Sequence, residues 1–169
     1  MSSLTSAVAA VVNDPAGRVL LCQQSQGHRL WGLPGGKIRF GESPLQATMR
    51  DIFEETGMEI EMVDLVGLYQ LTGADLPDLL VHVFRARSLG GEATVNAPGR
   101  ICRLSWHDPV GLPQPMTATT RIAVADAVAG RSGVLAQVQR DAEPEIPDAS
   151  DAYDPAIPLQ SGAVLLAAG

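Results

Sequence analysis

Asp51, Glu54 and Glu55 stand close enough in sequence to share about one helical turn, within the stretch GGKIRFGESPLQATMRDIFEETGM that runs from Gly35 to Met58. Like charges at such spacings repel, at a cost of roughly a few tenths of a kcal/mol per pair. A solvated helix face normally intersperses Lys or Arg among its acids, and here Arg50 is the only base. Three carboxylates on one turn make a hard-oxygen ligand set that suits Mg²⁺ or Mn²⁺, with waters completing an octahedron. For the cluster alone, a bland acidic surface is the competing reading. The preceding residues favour a site. Backbone at Gly35 and Gly36 can approach a metal or phosphate closely, since no Cβ obstructs it. Lys37 and Arg39 follow at once, and bases beside a metal suit a diphosphate.

The helix that must carry these acids is well marked. Ser43 suits the N-cap and Pro44 the first helical position. Gln46, three residues after Ser43, completes a capping box, and Gly57 suits the position just past the end. These signals predict a helix from about Pro44 to Thr56. At about 100° per residue, Leu45, Met49, Ile52 and Thr56 share one arc, with Phe53 at its edge. Asp51, Glu54 and Glu55 fall on the opposite side. The expectation is a helix that buries the apolar arc and turns all three carboxylates outward together.

The rest of the chain reads as alternating strands and helices. AVAAVV (7–12) and VLLCQQ (19–24) flank an Asn-Asp-Pro-Ala-Gly turn and read as a hairpin. HRLWGLPGGK is too rich in glycine and proline for a regular helix. MEIEMVDLVGLYQLT predicts one or two strands, LLVHVFRARS (79–88) the strongest strand, and ICRLSWHD (101–108) another. TATTRIAVADAVAG predicts a second helix closed by Gly130. That order suits a mixed sheet with helices on its faces, an α/β class. The domain is expected to span 1–133, with 134–169 an acidic, proline-containing tail that ends in a short apolar run.

Composition narrows the function. The chain has 169 residues, enough for one domain, and 46% of them are apolar, enough to fill a core. The net charge of −7 is not spread evenly. Through Arg140 there are 13 acids against 12 bases, and beyond it six acids and no base. The body is therefore nearly neutral, with no basic face for duplex DNA. No run approaches the roughly 18 apolar residues of a membrane span, and the apolar start lacks a basic n-region. Cys22 and Cys102 have no metal-ligand spacing and read as buried thiols. A cytoplasmic protein is expected. The apolar AVLLAAG end would serve a homodimer or fold back on the body.

From Gly36 the pattern is five residues, Glu42, seven residues, Arg50, Asp51, Ile52, Phe53, Glu54, Glu55, Thr56, Gly57 and Met58. It resembles the Nudix box, the signature of the Nudix hydrolase superfamily, in every fixed position but one. The resemblance covers about residues 5–131 and implies a Nudix-type α/β/α sandwich with a mixed sheet. It implies that Asp51, Glu54 and Glu55, with the Gly36 carbonyl, bind the divalent metal. Arg50 would hold a box glutamate in place, with Glu42 in the same network, and a glutamate would take the proton of the attacking water. The substrate would be a small-molecule diphosphate linked to another group, often a nucleoside: a nucleoside triphosphate, ADP-ribose or a nucleotide sugar. Lys37, Arg39, Arg29 and Gly35 are the candidates to touch it. The departure is Asp51, where the family usually has Glu. The charge survives but the reach shortens by one methylene. Binding through a water, a preference for Mn²⁺ and weakened activity are the open consequences.

An acid beyond the box often completes such sites, and Glu92 and Asp108 are the candidates, against a loop-surface residue and a turn former respectively. The strand RICRLSW offers Arg100 and Arg103 instead of an acid. Trp31 would stack on a base or pack under the glycine loop, and His28 would touch a phosphate. Two further classes stay open. One is a weak or inactive Nudix domain that senses a nucleotide or diphosphate. The other is a Nudix-fold isomerase of isoprenoid diphosphates, which would need Cys22 or Cys102 as its thiol.

Overall fold

A computed structural model describes residues 4–140. The elements are β1 (Thr5–Asn13), β2 (Val19–Gln24), β3 (Trp31–Gly32), β4 (Gly35–Lys37), α1 (Pro44–Thr56), β5 (Ile60–Thr72), β6 (Leu79–Ser88), β7 (Ile101–His107), α2 (Ala118–Val128) and β8 (Val134–Gln139). One mixed sheet runs β3-β2-β1-β6-β5-β8, with β4 paired to β1 and β7 to β2. β1 lies parallel to β6, and β5 parallel to β8, while the other pairs are antiparallel.

The unbroken apolar run of β1 follows from burial on both faces. Ala7, Ala9 and Val11 pack with Val81, Val83 and the α2 residues Ala123, Val124 and Ala127. Val8, Ala10 and Val12 point the other way, into clusters with Phe84, Ala86 and the α1 residues Ala47 and Ile52. A side-chain period of two thus delivers one strand to two layers, and the helices cover opposite faces as the α/β/α reading expects. The hairpin turn forms, but β1 and β2 share only the Asn13–Val19 pair near it. MEIEMVDLVGLYQLT becomes one long strand with two irregularities in its pairing to β6.

Two expectations need correction. The boundary at 133 falls before β8, which adds to the sheet edge by pairing Gly67–Thr72 of β5 with Val134–Gln139. Those six residues are sheet, because the chain returns parallel to β5 after crossing over α2. The remainder of the expected tail, including AVLLAAG, lies outside the described residues. The second correction is the phase of α1. Its caps form as read: the Ser43 side chain accepts from Gln46 N–H, the capping box is complete, and Gly57 closes the helix at φ 69°. Its buried residues, however, are Ala47, Thr48, Asp51, Ile52, Glu55 and Thr56. Leu45, Met49 and Phe53 are about half exposed. Small and hydroxylic residues let the helix lie close to β4 and β1, and the hydroxyls of Thr48 and Thr56 donate to carbonyls one turn back. Among the described residues no helix is long and apolar enough to cross a membrane.

α2 is tied to the sheet by a buried polar contact. The Tyr69 hydroxyl donates to Asp126 at 2.8 Å, and Arg131 pairs with the other Asp126 oxygen at 2.6 Å. Tyr69→Phe removes one of two donors from a buried carboxylate. It is expected to lower stability by about 2 kcal/mol, read as a shift of the urea midpoint with an unchanged slope.

Candidate functional site

α1 turns Asp51 and Glu55 inward against the glycine pair of β4. Each is only 2% exposed, so each carboxylate must find a partner or pay for its burial. Glu55 accepts the Gly35 N–H at 3.2 Å and the Arg100 guanidinium at 2.7 Å. Burial pushes its carboxyl up to about 7; Arg100 and the Gly35 N–H pull it back, while Asp51 and Glu54 add to the rise. Asp51 accepts from Arg50 through Oδ1 at 2.8 Å. Its Oδ2 is buried with no hydrogen-bond partner. That atom faces Gly36, where an added Cβ would stand 2.5 Å from it.

Arg50 organises the other side. It donates to both oxygens of Glu42, to Asp51, to Glu54 and to the Lys37 carbonyl. Arg50 holds the Glu42 carboxyl down at about 2. Glu54 lies nearer solvent, gripped by both terminal nitrogens of Arg39 at 3.1 and 3.0 Å, and this pair lowers its carboxyl. Arg50→Lys keeps the charge but not the planar fork. It leaves several acceptors unserved and is expected to cost about 2 kcal/mol of stability. The loss would be measured by urea unfolding at neutral pH. At pH 2 the difference should shrink: the folded-state carboxyl of Glu42 lies below its unfolded value, so its contribution is present above about 4.5 and fades as pH falls through about 2.

Glu55 opens onto a cleft of about 390 Å³ walled by Cys22, Gln24, Gln26, Gly32, Leu33, Gly35, Gly99, Arg100 and Ile101. A second cavity of about 490 Å³, mainly apolar, lies between the β2–β3 loop and the start of α2. The two are neighbours: a Cβ added at Gly32 of the cleft would stand 3.7 Å from the Thr117 side chain of the cavity. Two buried atoms without hydrogen-bond partners, His28 Nε2 and Thr119 Oγ1, belong to residues lining the second cavity.

A sequence model of the NUDIX domain matches residues 3–127. The chain belongs to this family.

A MutT-like protein of Streptomyces ambofaciens is 31% identical over 123 residues, covering 73% of this chain and 76% of that protein. A putative 8-oxo-dGTP diphosphatase of Bacillus subtilis (strain 168) is 31% identical over 110 residues, covering 65% and 71%. The crystal structure of a MutT NUDIX hydrolase from Burkholderia pseudomallei superposes with a TM-score of 0.69 at 31% identity, covering 73% of this chain and 98% of that one. The fold is the Nudix fold, and the protein is a Nudix-family hydrolase.

Within this Nudix domain the box residues do not all converge. Gly35, Gly36, Asp51 and Glu55 meet beside the cleft, with Arg50 behind them. Glu54 and Arg39 pair at the exposed rim. Lys37 gives its carbonyl to Arg50 while the residue itself is exposed. Arg29 is exposed in the β2–β3 loop at φ 51°, outside the cleft wall. Glu92 is exposed beside a different cavity with Leu104 and Trp106. Asp108 accepts from Val110 N–H in a turn. Trp31 is buried, edge-on to His107 and beneath Arg103.

The donor set fits a divalent cation. An unpartnered buried carboxylate oxygen, a second buried carboxylate and glycine backbone adjoin one another, all hard ligands. Among the described residues no three His, Cys, Asp or Glu are already gathered for an ion, and Arg50, Arg39 and Arg100 pair with Asp51, Glu54 and Glu55. Sequence reasoning passed over Arg100 as a partner of Glu55 and Cys22 as a cleft wall. The only sequence signal was that an Arg stood near the start of β7 where an acid was sought.

Proposed function

We propose that this Nudix hydrolase is a pyrophosphohydrolase that cleaves a phosphoanhydride of a nucleoside diphosphate derivative with Mg²⁺ or Mn²⁺. The observation that carries this reading is the buried, unpartnered Asp51 Oδ2 beside Gly36 and Glu55 at the wall of an arginine-edged cleft. Asp51, Glu55 and the Gly36 carbonyl would hold the cation, and Glu54 would join them on release from Arg39. Its chemistry would be to neutralise phosphate oxygens and to make a water more acidic. Glu55, buried in the fold yet lining the cleft, is placed to take the proton of the attacking water. Water attacks one phosphorus, the bridging P–O bond breaks, and the bridging oxygen leaves with the other phosphate. Arg50 keeps Asp51 oriented throughout.

The neighbouring apolar cavity supports a nucleoside as the remaining group. It offers apolar walls for a ring, with His28 and Thr119 to meet polar edges. The name of the Bacillus subtilis relative points to a nucleoside triphosphate. The test is a panel of nucleoside triphosphates, nucleotide sugars, ADP-ribose and dinucleoside polyphosphates, each with Mg²⁺ and with Mn²⁺, followed by phosphorus NMR. Metal-dependent turnover is expected, and the products identify the bond broken. Turnover with Mn²⁺ alone would trace to the short reach of Asp51. Tight nucleotide binding without turnover would instead establish a sensor, a reading favoured by the arginine contact that each of Asp51, Glu54 and Glu55 already makes.

A further inference from the structure

Arg100 takes no part in the hydrolysis as described, yet it reaches one of the two buried carboxylates of the site. Its Nη2 lies 2.7 Å from Glu55 Oε1 and 3.4 Å from the Gly35 carbonyl. The same nitrogen is 3.1 Å from where a Gly36 Cβ would stand, and the unpartnered Asp51 Oδ2 is 2.5 Å from that point. The guanidinium therefore sits at the mouth of the Asp51–Gly36–Glu55 cradle, where a cation's charge belongs. The two partners differ in freedom. The Glu55 side chain is 3% exposed and that of Arg100 56%. The Arg100 backbone is pinned independently, its N–H donating to Ala97 and its carbonyl accepting from Ser25. The head group can swing into the cleft without moving the strand, whereas Glu55 cannot follow it.

We propose that Arg100 is a resident counter-ion of Glu55: it holds the carboxylate in place in the metal-free protein, yields to the divalent ion, and then turns into the cleft to bind the substrate's diphosphate. This rests on the metal-dependent reading above. One guanidinium cannot serve Glu55 and a phosphate in full at once. Ion binding without substrate is therefore weakened by competition. A bound diphosphate gives the displaced guanidinium a new anionic partner, so ion and diphosphate favour each other's binding, and the coupling is reciprocal. Arg100 is a positioning residue towards Glu55 and a binding residue towards the phosphates.

The test uses the full chain, with Arg100→Met and, as a charge control from the same segment, Arg103→Met. Mn²⁺ affinity is read directly by the electron paramagnetic resonance of the free ion, without nucleotide. Imidodiphosphate binding is read by calorimetry at saturating Mn²⁺. Arg100→Met is expected to bind Mn²⁺ about tenfold more tightly and imidodiphosphate about tenfold more weakly, the size of one charge-assisted hydrogen bond in each case. Arg103→Met should match the wild type in both. Wild type and Arg100→Met binding Mn²⁺ equally would overturn the counter-ion role and leave the hydrolase reading standing. Equal tightening by Arg103→Met would reduce the effect to general charge and overturn it too. Unchanged imidodiphosphate binding would remove the second half of the proposal. Absence of Mn²⁺ binding in all three proteins would remove the metal-dependent reading and this inference with it.

Discussion

Glu55→Gln is expected to abolish turnover and, at the same time, to stabilise the metal-free protein. Hydrolysis should fall by about 10³-fold, the scale of a lost general base. The stability gain follows from burial. The folded state holds the Glu55 proton more tightly than the unfolded chain, with the carboxyl raised from 4.5 to about 7. The contribution is thus fully present below pH 4.5 and is lost as pH rises through 7. Above that the buried charge costs about 3 kcal/mol, with the Arg100 ion pair in place. Gln is uncharged throughout and escapes the loss. In EDTA at pH 8 the variant's Tm should exceed the wild type's by roughly 5 °C or more, and the gap should close by pH 4.5. Adding Mn²⁺ at pH 8 should raise the wild type and leave the variant nearly unmoved. Equal Tm values in EDTA at pH 8 would show that ionised Glu55 carries no burial cost.

Gly35→Ala should be the most damaging small substitution in the domain. Gly35 sits at φ 153°, and a Cβ there would stand 2.1 Å from the Val8 carbonyl oxygen and 2.7 Å from the Ala9 Cα. Both atoms are backbone of β1, which is packed on both faces and has no side chain to swing aside. The clash and the disfavoured dihedral together are expected to cost about 4 kcal/mol. Relief can come only by lifting β4 away from β1, which also removes the Gly35 N–H from Glu55. Activity should therefore fall even where the variant stays folded. Gly41→Ala is the comparison, because Gly41 is at φ 82° with nothing within 4 Å of the added carbon. It should cost about 1 kcal/mol, the conformational part alone. Equal urea midpoints for the two variants would refute the steric account.

α1 was legible because its signals are local. Ser43, Pro44, Gln46 and Gly57 act on backbone groups a few residues away, so composition and order suffice to place both ends. The spacing of Gly36, Glu42, Arg50, Asp51, Glu54 and Glu55 was legible for the same reason, and with it the family and the fold class. The strands at 79–88 and 101–107 follow from their own apolar, β-branched character. The sequence by itself did not determine which face of α1 is buried. Hydropathy pointed to Leu45, Met49 and Phe53, but a helix buries whatever lies against its partner, and β4 and β1 admit Ala47, Thr48 and two carboxylates with partners for all of their oxygens but Asp51 Oδ2. The Arg100 that meets Glu55 comes from 45 residues away, through the pairing of β7 with β2. β8 was hidden likewise: its exposed Leu135 and alternating polar residues look like tail until parallel pairing with β5 supplies their hydrogen bonds. Caps and spacings are energies of neighbours along the chain, whereas burial and ion pairing are energies of neighbours in space, and only the closed sheet decides who those are.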